Sequence, residues 1–150
     1  MDYEIPESIR MMLDTIRRFV KQDLEPISQK VEDEDRIPDN IVQAMRELGL
    51  FGLSIPEAYG GLGLGVLGEC MVYEELSKVN ACFRTRIGTN NGIGSQGIVI
   101  DGTEEQKETY LPRLASGEWI GVFALTEPEA GSDASNIQTT AEQRGDTWII

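Results

Sequence analysis

The feature that most constrains the fold of this 150-residue chain is a change in its apolar spacing near residue 118. Before that point, apolar residues recur three and four positions apart, as in Ile9, Leu13 and Ile16, which predicts helices with one apolar face. After it, β-branched and aromatic residues come in short runs between turn residues, which predicts strands. We therefore expect a mainly α fold. About six helices form an N-terminal all-α domain over residues 1–117, and the first strands of a β domain follow over residues 118–150.

Residues that start and stop helices mark several of the expected helices. Pro38 suits the first turn of the third helix, and Gly49 is placed to end that helix in a left-handed conformation. Thr103 and Gln106 have the spacing of a capping box, which predicts the start of the sixth helix, and Gly117 can end it. Between these signals the spacing predicts a fifth helix over residues 82–100.

The last part of the chain predicts three short strands. Residues 119–125 are mostly apolar, residues 137–143 alternate as an exposed strand does, and residues 148–150 begin a third strand. Gly145 and Asp146 between the last two are typical of a tight hairpin turn. A three-strand piece whose last strand has no partner is not a finished domain, so we expect the β domain to need more chain.

Charge and hydropathy exclude several functions. The formal net charge is −13 at pH 7. Such a chain repels nucleic acid, which is bound by Lys and Arg, and it disfavours anionic membranes. No apolar run approaches the roughly 18 residues that a membrane span needs, so we expect no membrane insertion. An anionic ligand would have to be held locally, by backbone N–H groups, hydroxyls or a few placed arginines.

The composition also limits metal and nucleophile chemistry. The sequence contains no histidine, which excludes histidine triads and histidine metal sites within it, and Cys70 and Cys82 lack the spacing of a zinc site or a disulfide framework. We expect no metal site. The acidic start of the chain lacks an apolar signal core and an Arg-rich transit pattern, so a cytoplasmic location is expected.

A glycine motif at residues 63–68 matches GxGxxG but does not predict a dinucleotide-binding fold. A dinucleotide-binding fold needs a strand before the motif and an acidic residue about 20 positions after it. A loop with Pro56 precedes the motif, and Arg84 to Arg86 stand at the later position. We interpret residues 63–68 as a loop that leads into a helix.

The expected fifth helix holds four glycines and two arginines that need an explanation. Gly88, Gly92, Gly94 and Gly97 each cost a helix about 1 kcal/mol relative to alanine. They indicate either close packing of small surfaces, which the residues alone favour, or room for a ligand. Arg84 and its neighbour Arg86 are either solvated charges, the simpler interpretation, or a fixed cation for an anionic ligand.

The segment with most chemical content is residues 123–133, with sequence FALTEPEAGSD. Its pattern predicts a strand that ends in a loop with a threonine hydroxyl, free backbone N–H groups, a glycine and a serine. These groups can hydrogen-bond a flat heterocycle and a pyrophosphate without positive charge. An ordinary polar turn has the same composition, so the residues alone leave both interpretations open.

Three ordered segments together resemble one enzyme family. Residues 126–133 closely resemble the T-E-P-x-A/S-G-S-D signature of the acyl-CoA dehydrogenases. Residues 49–53 with 56–61, GLFGL and PEAYGG, resemble the loop after the family's third helix. Residues 102–107 with 110–112, GTEEQK and YLP, resemble its capped sixth helix. The resemblance covers essentially the whole chain.

The resemblance implies an FAD-dependent oxidoreductase, usually a tetramer, with a helical N-terminal domain, a middle β domain and a C-terminal four-helix domain. Such an enzyme converts an acyl-CoA thioester to the trans-2-enoyl-CoA, as a glutamate takes the α-proton and a hydride passes to FAD. Electrons then usually leave to an electron-transfer flavoprotein. A place in fatty acid metabolism follows from the same resemblance.

The resemblance also assigns residues. Phe123, Leu125 and Thr126 are expected to contact the flavin, and Gly131 and Ser132 to approach the FAD pyrophosphate, with Ser132 also touching the CoA part of the substrate. The glycine-rich fifth helix is expected to help line the acyl channel. In the glutaryl-CoA dehydrogenase branch an aromatic–arginine pair binds the distal carboxylate of the substrate, and Phe83–Arg84 resembles that pair, although residues 86–89 depart from that branch.

No acidic residue of this chain matches the family's catalytic base, which is expected beyond residue 150, so no catalytic residue is assigned. We expect the 150-residue chain to have no dehydrogenase activity by itself. Two other interpretations stay open: a non-catalytic helical module for assembly or binding, and an acyl-CoA oxidase, which has the same fold but passes electrons to oxygen.

Overall fold

A computed structural model describes residues 5–150 as a mainly helical chain that ends in a small hairpin; the acidic start, residues 1–4, lies outside the described residues. The described range has seven α-helices and two strands. Their bounds are α1 Glu7–Phe19, α2 Ser28–Glu34, α3 Asp39–Glu47, α4 Val66–Leu76, α5 Cys82–Asn91, α6 Gln96–Asp101, α7 Glu104–Ala115, β1 Glu142–Arg144 and β2 Thr147–Ile149. The mainly α class with following strands is confirmed.

One apolar core holds most of the helices together. α1 packs on α4, and α5 and α7 pack on the short turn Leu50–Gly52 that follows α3. Leu13, Met45, Phe51, Phe83 and Ile87 are at most 2% exposed. A smaller cluster joins Ile55 to three residues of α7, Leu111, Leu114 and Ala115. Burial of these side chains, which come from elements far apart in sequence, is the main force that assembles the helices.

The predicted helix ends are confirmed. Gly49 and Gly117 have φ angles of 70° and 71°, in the left-handed region that glycine adopts without strain. The Thr103 hydroxyl accepts the N–H of Gln106 at 3.2 Å, and the Gln106 side chain accepts the N–H of Thr103 at 2.9 Å. These contacts join residues no more than three positions apart, which explains why the sequence alone predicts them.

The predicted continuous fifth helix over residues 82–100 is wrong. α5 ends at Asn91, residues 92–95 form turns, and α6 begins at Gln96. Gly92 departs from helical geometry with φ −119° and ψ −116°. A Cβ added to Gly94 would lie 2.9 Å from the Cα of Gly121, so the turn lets two backbones touch. Close packing therefore explains Gly94, whereas a Cβ on Gly97 would meet nothing within 4 Å.

The predicted strand over residues 119–125 is also wrong in the described structure. Of the strand predicted over residues 137–143, only residues 142–143 are a strand, at the start of β1. A strand needs a neighbour for its backbone groups, and none of the described residues lies as a strand beside residues 119–125 or 137–141. The hairpin is confirmed: β1 and β2 are antiparallel, Arg144 pairs with Thr147, and Gly145 has φ 62°.

A buried carboxylate links α1 to α4. The Glu75 side chain is 7% exposed, and it accepts a hydrogen bond from Arg17 Nε at 2.8 Å and one from Lys78 Nζ at 2.5 Å. Burial raises the pKa of a carboxyl group, but the hydrogen bonds from Lys78 and Arg17 outweigh it and lower the pKa of Glu75. Glu75 is therefore an ionised structural group.

Candidate functional site

The segment that follows α7 ends in a closed turn. The N–H of Glu127 donates to the C=O of Ala130 at 2.8 Å, and the N–H of Ala130 donates back at 3.3 Å. Pro128 lies at the position of this turn where its fixed φ angle fits. A Cβ on Gly131 would lie 3.6 Å from Thr126 Cγ2, so the turn brings Thr126 and Gly131 side by side.

The residues before the turn have unused hydrogen-bonding groups. Within residues 5–150, no backbone hydrogen bond involves residues 122–126. Phe123 is 58% exposed, Thr126 and Ser132 are exposed, and Leu125 is half-buried. Backbone groups that become buried are nearly always paired. A ligand or strand that covers residues 122–126 would therefore have to pair with their free N–H and C=O groups, which suits a polar, planar ligand or a further strand.

Glu127 fixes the turn to the segment that follows it. Its carboxylate accepts the N–H groups of Gln138 at 2.8 Å and Thr139 at 2.9 Å, and also the Thr139 hydroxyl. The hydrogen bonds from Thr139 and from these two N–H groups lower the pKa of Glu127. A carboxylate held this way is a poor proton acceptor, and its role is to fix the loop. The sequence analysis did not single out this contact, because Thr139 is 12 positions away.

Asn90 is a second residue that the sequence analysis missed. Its side chain is fully buried and donates from Nδ2 to the C=O groups of Leu114 at 2.8 Å and Trp119 at 2.9 Å. Its Oδ1 accepts the N–H of Gly121 at 2.8 Å. Asparagine has low helix propensity, and two in succession at residues 90–91 were the signal that could have directed attention there.

Arg84 lies on α5 with its guanidinium 4.7 Å from the centre of the Tyr73 ring, and its side chain is exposed. The Tyr73 hydroxyl donates to Glu69 at 2.7 Å, and burial together with this hydrogen bond raises the pKa of Tyr73, so the ring stays neutral. Among residues 5–150, no carboxylate lies within 4.0 Å of Arg84, and no hydrogen bond or ion pair joins Arg84 to residues 123–132.

The remaining predicted features lie as follows. Residues 63–65 are a loop that leads into α4, and no strand within the described residues precedes them. The GxGxxG motif therefore does not belong to a dinucleotide-binding fold. Cys70 and Cys82 are both free thiols. Within residues 5–150, no cluster of three possible ligands could hold a metal, and no helix has the length and apolar character to cross a bilayer.

Comparison with known proteins decides the family. Residues 6–118 match the model of the acyl-CoA dehydrogenase N-terminal domain. The chain belongs to the acyl-CoA dehydrogenase family. The mitochondrial short-chain specific acyl-CoA dehydrogenase of Bos taurus is 39% identical over 147 residues, which are 98% of this chain and 36% of that enzyme.

Solved structures with similar sequences have the same fold. A glutaryl-coenzyme A dehydrogenase in complex with glutaryl-CoA aligns at TM-score 0.89 and 36% identity, over 99% of this chain and 38% of that one. A chain in the structure of the electron transferring flavoprotein of Acidaminococcus fermentans aligns at TM-score 0.91 and 38% identity, over 99% and 39%. The chain thus spans less than two fifths of the length of each of these three proteins.

Proposed function

We propose that this chain is the N-terminal part of an FAD-dependent acyl-CoA dehydrogenase that oxidises an acyl-CoA thioester to the trans-2-enoyl-CoA. The observation that supports it best is the free backbone of residues 122–126 next to the closed turn at Glu127. In this proposal residues 1–117 are the helical domain and residues 118–150 begin the β domain. Bound FAD supplies the hydride acceptor, and the protein supplies orientation and hydrogen bonds.

The residues of the loop fit a flavin nucleotide. Phe123, Leu125 and Thr126 offer unpaired backbone groups and an exposed hydroxyl to the ring. Gly131 and Ser132 are exposed at the far side of the turn, where the absence of a side chain on Gly131 lets a pyrophosphate approach the backbone. This mode of binding needs no positive charge, which agrees with the net charge of −13.

The carboxylates with resolved pKa shifts are not candidates for the base. Those of Glu75, Glu104 and Glu127 are all engaged in hydrogen bonds that lower the pKa, whereas a general base for an α-proton works best with a pKa near the operating pH. We therefore do not propose these three carboxylates as the base. Since no acidic residue of this chain matches the family's base either, we assign no catalytic residue here and propose that the base lies beyond residue 150.

We propose acyl-CoA as the substrate, with Ser132 touching its CoA part and Arg84 available for a distal carboxylate. The support for Arg84 is its exposed guanidinium, fixed over Tyr73 without a carboxylate partner among residues 5–150. Short-chain and glutaryl-CoA dehydrogenases are both relatives, so a short acyl chain and a dicarboxylic one are the two candidates.

Electron-transfer flavoprotein is the proposed electron acceptor, and a homo-oligomer, a tetramer in the complete family, is the proposed assembly. The alignment with a chain in the structure of the electron transferring flavoprotein of Acidaminococcus fermentans supports the first of these. A cytoplasmic location is proposed as well, which the two free cysteines suit because thiols persist in a reducing compartment.

The first test is to purify the protein that carries this chain, denature it and measure released FAD by fluorescence. Release of stoichiometric FAD is expected, and Thr126→Ala is expected to weaken FAD binding. Thr140→Ala, which changes an exposed threonine outside the turn, is the matched control. Protein that contains no FAD and takes up none would contradict the proposal and favour a helical binding module. Rapid electron transfer to oxygen would instead favour an oxidase.

A further inference from the structure

Two neighbouring asparagines at the end of α5 hold two different parts of the chain. Asn90 and Asn91 are 0% and 2% exposed. Asn91 Nδ2 donates to the C=O groups of Leu50 at 2.7 Å and Ile87 at 3.1 Å, and its Oδ1 accepts the N–H of Ser54 at 3.4 Å. Asn90 also makes three side-chain bonds, to a different part of the chain: Leu114, Trp119 and Gly121.

The Asn90 amide fixes the start of the segment that follows α7. Both of its N–H donors and one oxygen lone pair are used, and all three partners are backbone groups in residues 114–121. A buried amide with paired donors is costly to disturb, because a change in the amide leaves its backbone partners unsatisfied at a buried position.

The close approach of Gly94 and Gly121 supports the same contact. A Cβ on Gly121 would lie 2.7 Å from Gly94 Cα, so neither residue can carry a side chain without displacement of the segment. The turn between α5 and α6 and the Asn90 side chain together hold residues 119–121 against the helical domain. The cleft beside this contact, between Gly94, Leu114 and Trp119, has a volume of about 460 Å³.

Residues 122–126 follow directly and make no backbone hydrogen bonds of their own within the described chain. They are fixed at one end by Asn90 and at the other by the turn at Glu127. We propose that Asn90 is a positioning residue for the flavin-binding segment: its amide sets where Phe123, Leu125 and Thr126 are presented to FAD. This inference rests on the proposed function, because the flavin contacts of these residues belong to that proposal.

The structure provides a matched pair of variants. Asn90→Asp and Asn91→Asp each replace two buried donors by an acceptor that faces two carbonyl oxygens, on the same helix and with no change in size. Both should lower the melting temperature to a similar extent. Only Asn90→Asp should release residues 119–126, and because a loosened segment must be ordered again on binding, it should weaken FAD binding by about tenfold or more relative to Asn91→Asp.

The assays use the protein that carries this chain, loaded with FAD: the dissociation constant for FAD, the shape of the visible flavin band, and amide hydrogen exchange of residues 119–126. In Asn90→Asp we expect weaker binding, a shifted band and faster exchange, with all three unchanged in Asn91→Asp. Equal effects of the two variants on FAD would overturn the positioning role and leave a merely structural one.

Two further outcomes separate the inference from the proposed function. A wild-type protein that binds no FAD refutes the proposed function, whereas FAD bound equally well by both variants refutes only the role of Asn90. If Asn90→Asp does not fold, the wild-type protein still tests the contact. The Gly121 amide should exchange slowly, because its acceptor is buried, and an unprotected Gly121 amide would overturn the inference.

Discussion

Replacement of Glu75 by glutamine is the most informative test of how the helical domain is held together. The Glu75 carboxylate is buried between α1 and α4 and accepts hydrogen bonds from Arg17 and Lys78. Glutamine keeps the volume of the side chain but removes its charge, and its NH₂ group meets a positively charged donor. One of the two cations then loses its buried acceptor, and both lose the attraction of the negative charge.

The magnitude follows from the geometry of the pair. A hydrogen bond to a charged group contributes about 1.5–3 kcal/mol. The Arg17 and Lys78 side chains are 51% and 55% exposed, so water screens both interactions and the contribution of each is smaller. We expect Glu75→Gln to lower the free energy of unfolding by about 1–3 kcal/mol, which for a chain of this size corresponds to about 2–4 °C in melting temperature per kcal/mol.

The effect depends on pH in a defined direction. The pKa of Glu75 is lowered from its ordinary value of 4.5 in the folded chain. A group with a lowered folded pKa stabilises the fold above its unfolded pKa and loses that contribution as the pH falls through the folded pKa. The difference in free energy of unfolding between wild type and Glu75→Gln is therefore largest at neutral pH and shrinks as the pH falls below 4.5.

Urea unfolding of both proteins at neutral and at acidic pH measures this difference. Glu74→Gln is the control, because Glu74 is the exposed neighbour on the same helix and this substitution removes the same charge. The reasoning is refuted if the two variants are equally stable at neutral pH, or if the deficit of Glu75→Gln grows as the pH falls.

Three further predictions concern the site. Gly121→Ala should lower the free energy of unfolding by about 1–3 kcal/mol in urea, because its Cβ overlaps Gly94. Gly97→Ala, in α6 with open space around it, should be neutral or stabilise by up to about 1 kcal/mol, and equal stability of the two variants would contradict the packing argument. Glu127→Gln should speed amide exchange at residues 138–139. In the wild type, the contact of Glu127 with these amides should weaken as the pH falls below the ordinary carboxyl pKa, and exchange rates that respond to neither change would exclude this role. Arg84→Ala, with Arg86→Ala as control, should lower kcat/KM for glutaryl-CoA by about 10- to 100-fold and leave kcat/KM for butyryl-CoA unaffected; unchanged glutaryl-CoA turnover would rule out Arg84 as the ligand of a distal carboxylate.

The parts of the fold that the sequence predicted correctly depend on local interactions. The capping box joins Thr103 to Gln106, Gly49 and Gly117 need only their own φ angle, and the hairpin turn lies within residues 144–147. Each of these signals is complete within a few positions of the chain. The apolar faces of the helices are equally local, because their spacing alone decides which side is buried.

The candidate site was predicted only in part. The FALTEPEAGSD segment was found from its residue types and its resemblance to the family, and its roles toward FAD and CoA stay predictions. The contacts that shape it were not found: Glu127 binds residues 138–139, and Asn90 binds residues up to 31 positions away. Nothing near Asn90 in the sequence indicates which backbone groups its amide will meet.

By itself the sequence determined the mainly α class, most helix ends, the hairpin and the family to which the chain belongs. Only the tertiary structure decided that the fifth helix breaks at Gly92, that Gly94 lies against Gly121, and that residues 119–125 form no strand. The physical reason is the range of the forces involved. Capping and apolar spacing act within one or two turns, whereas a helix break or a strand is stabilised by backbone partners that only the folded chain brings near.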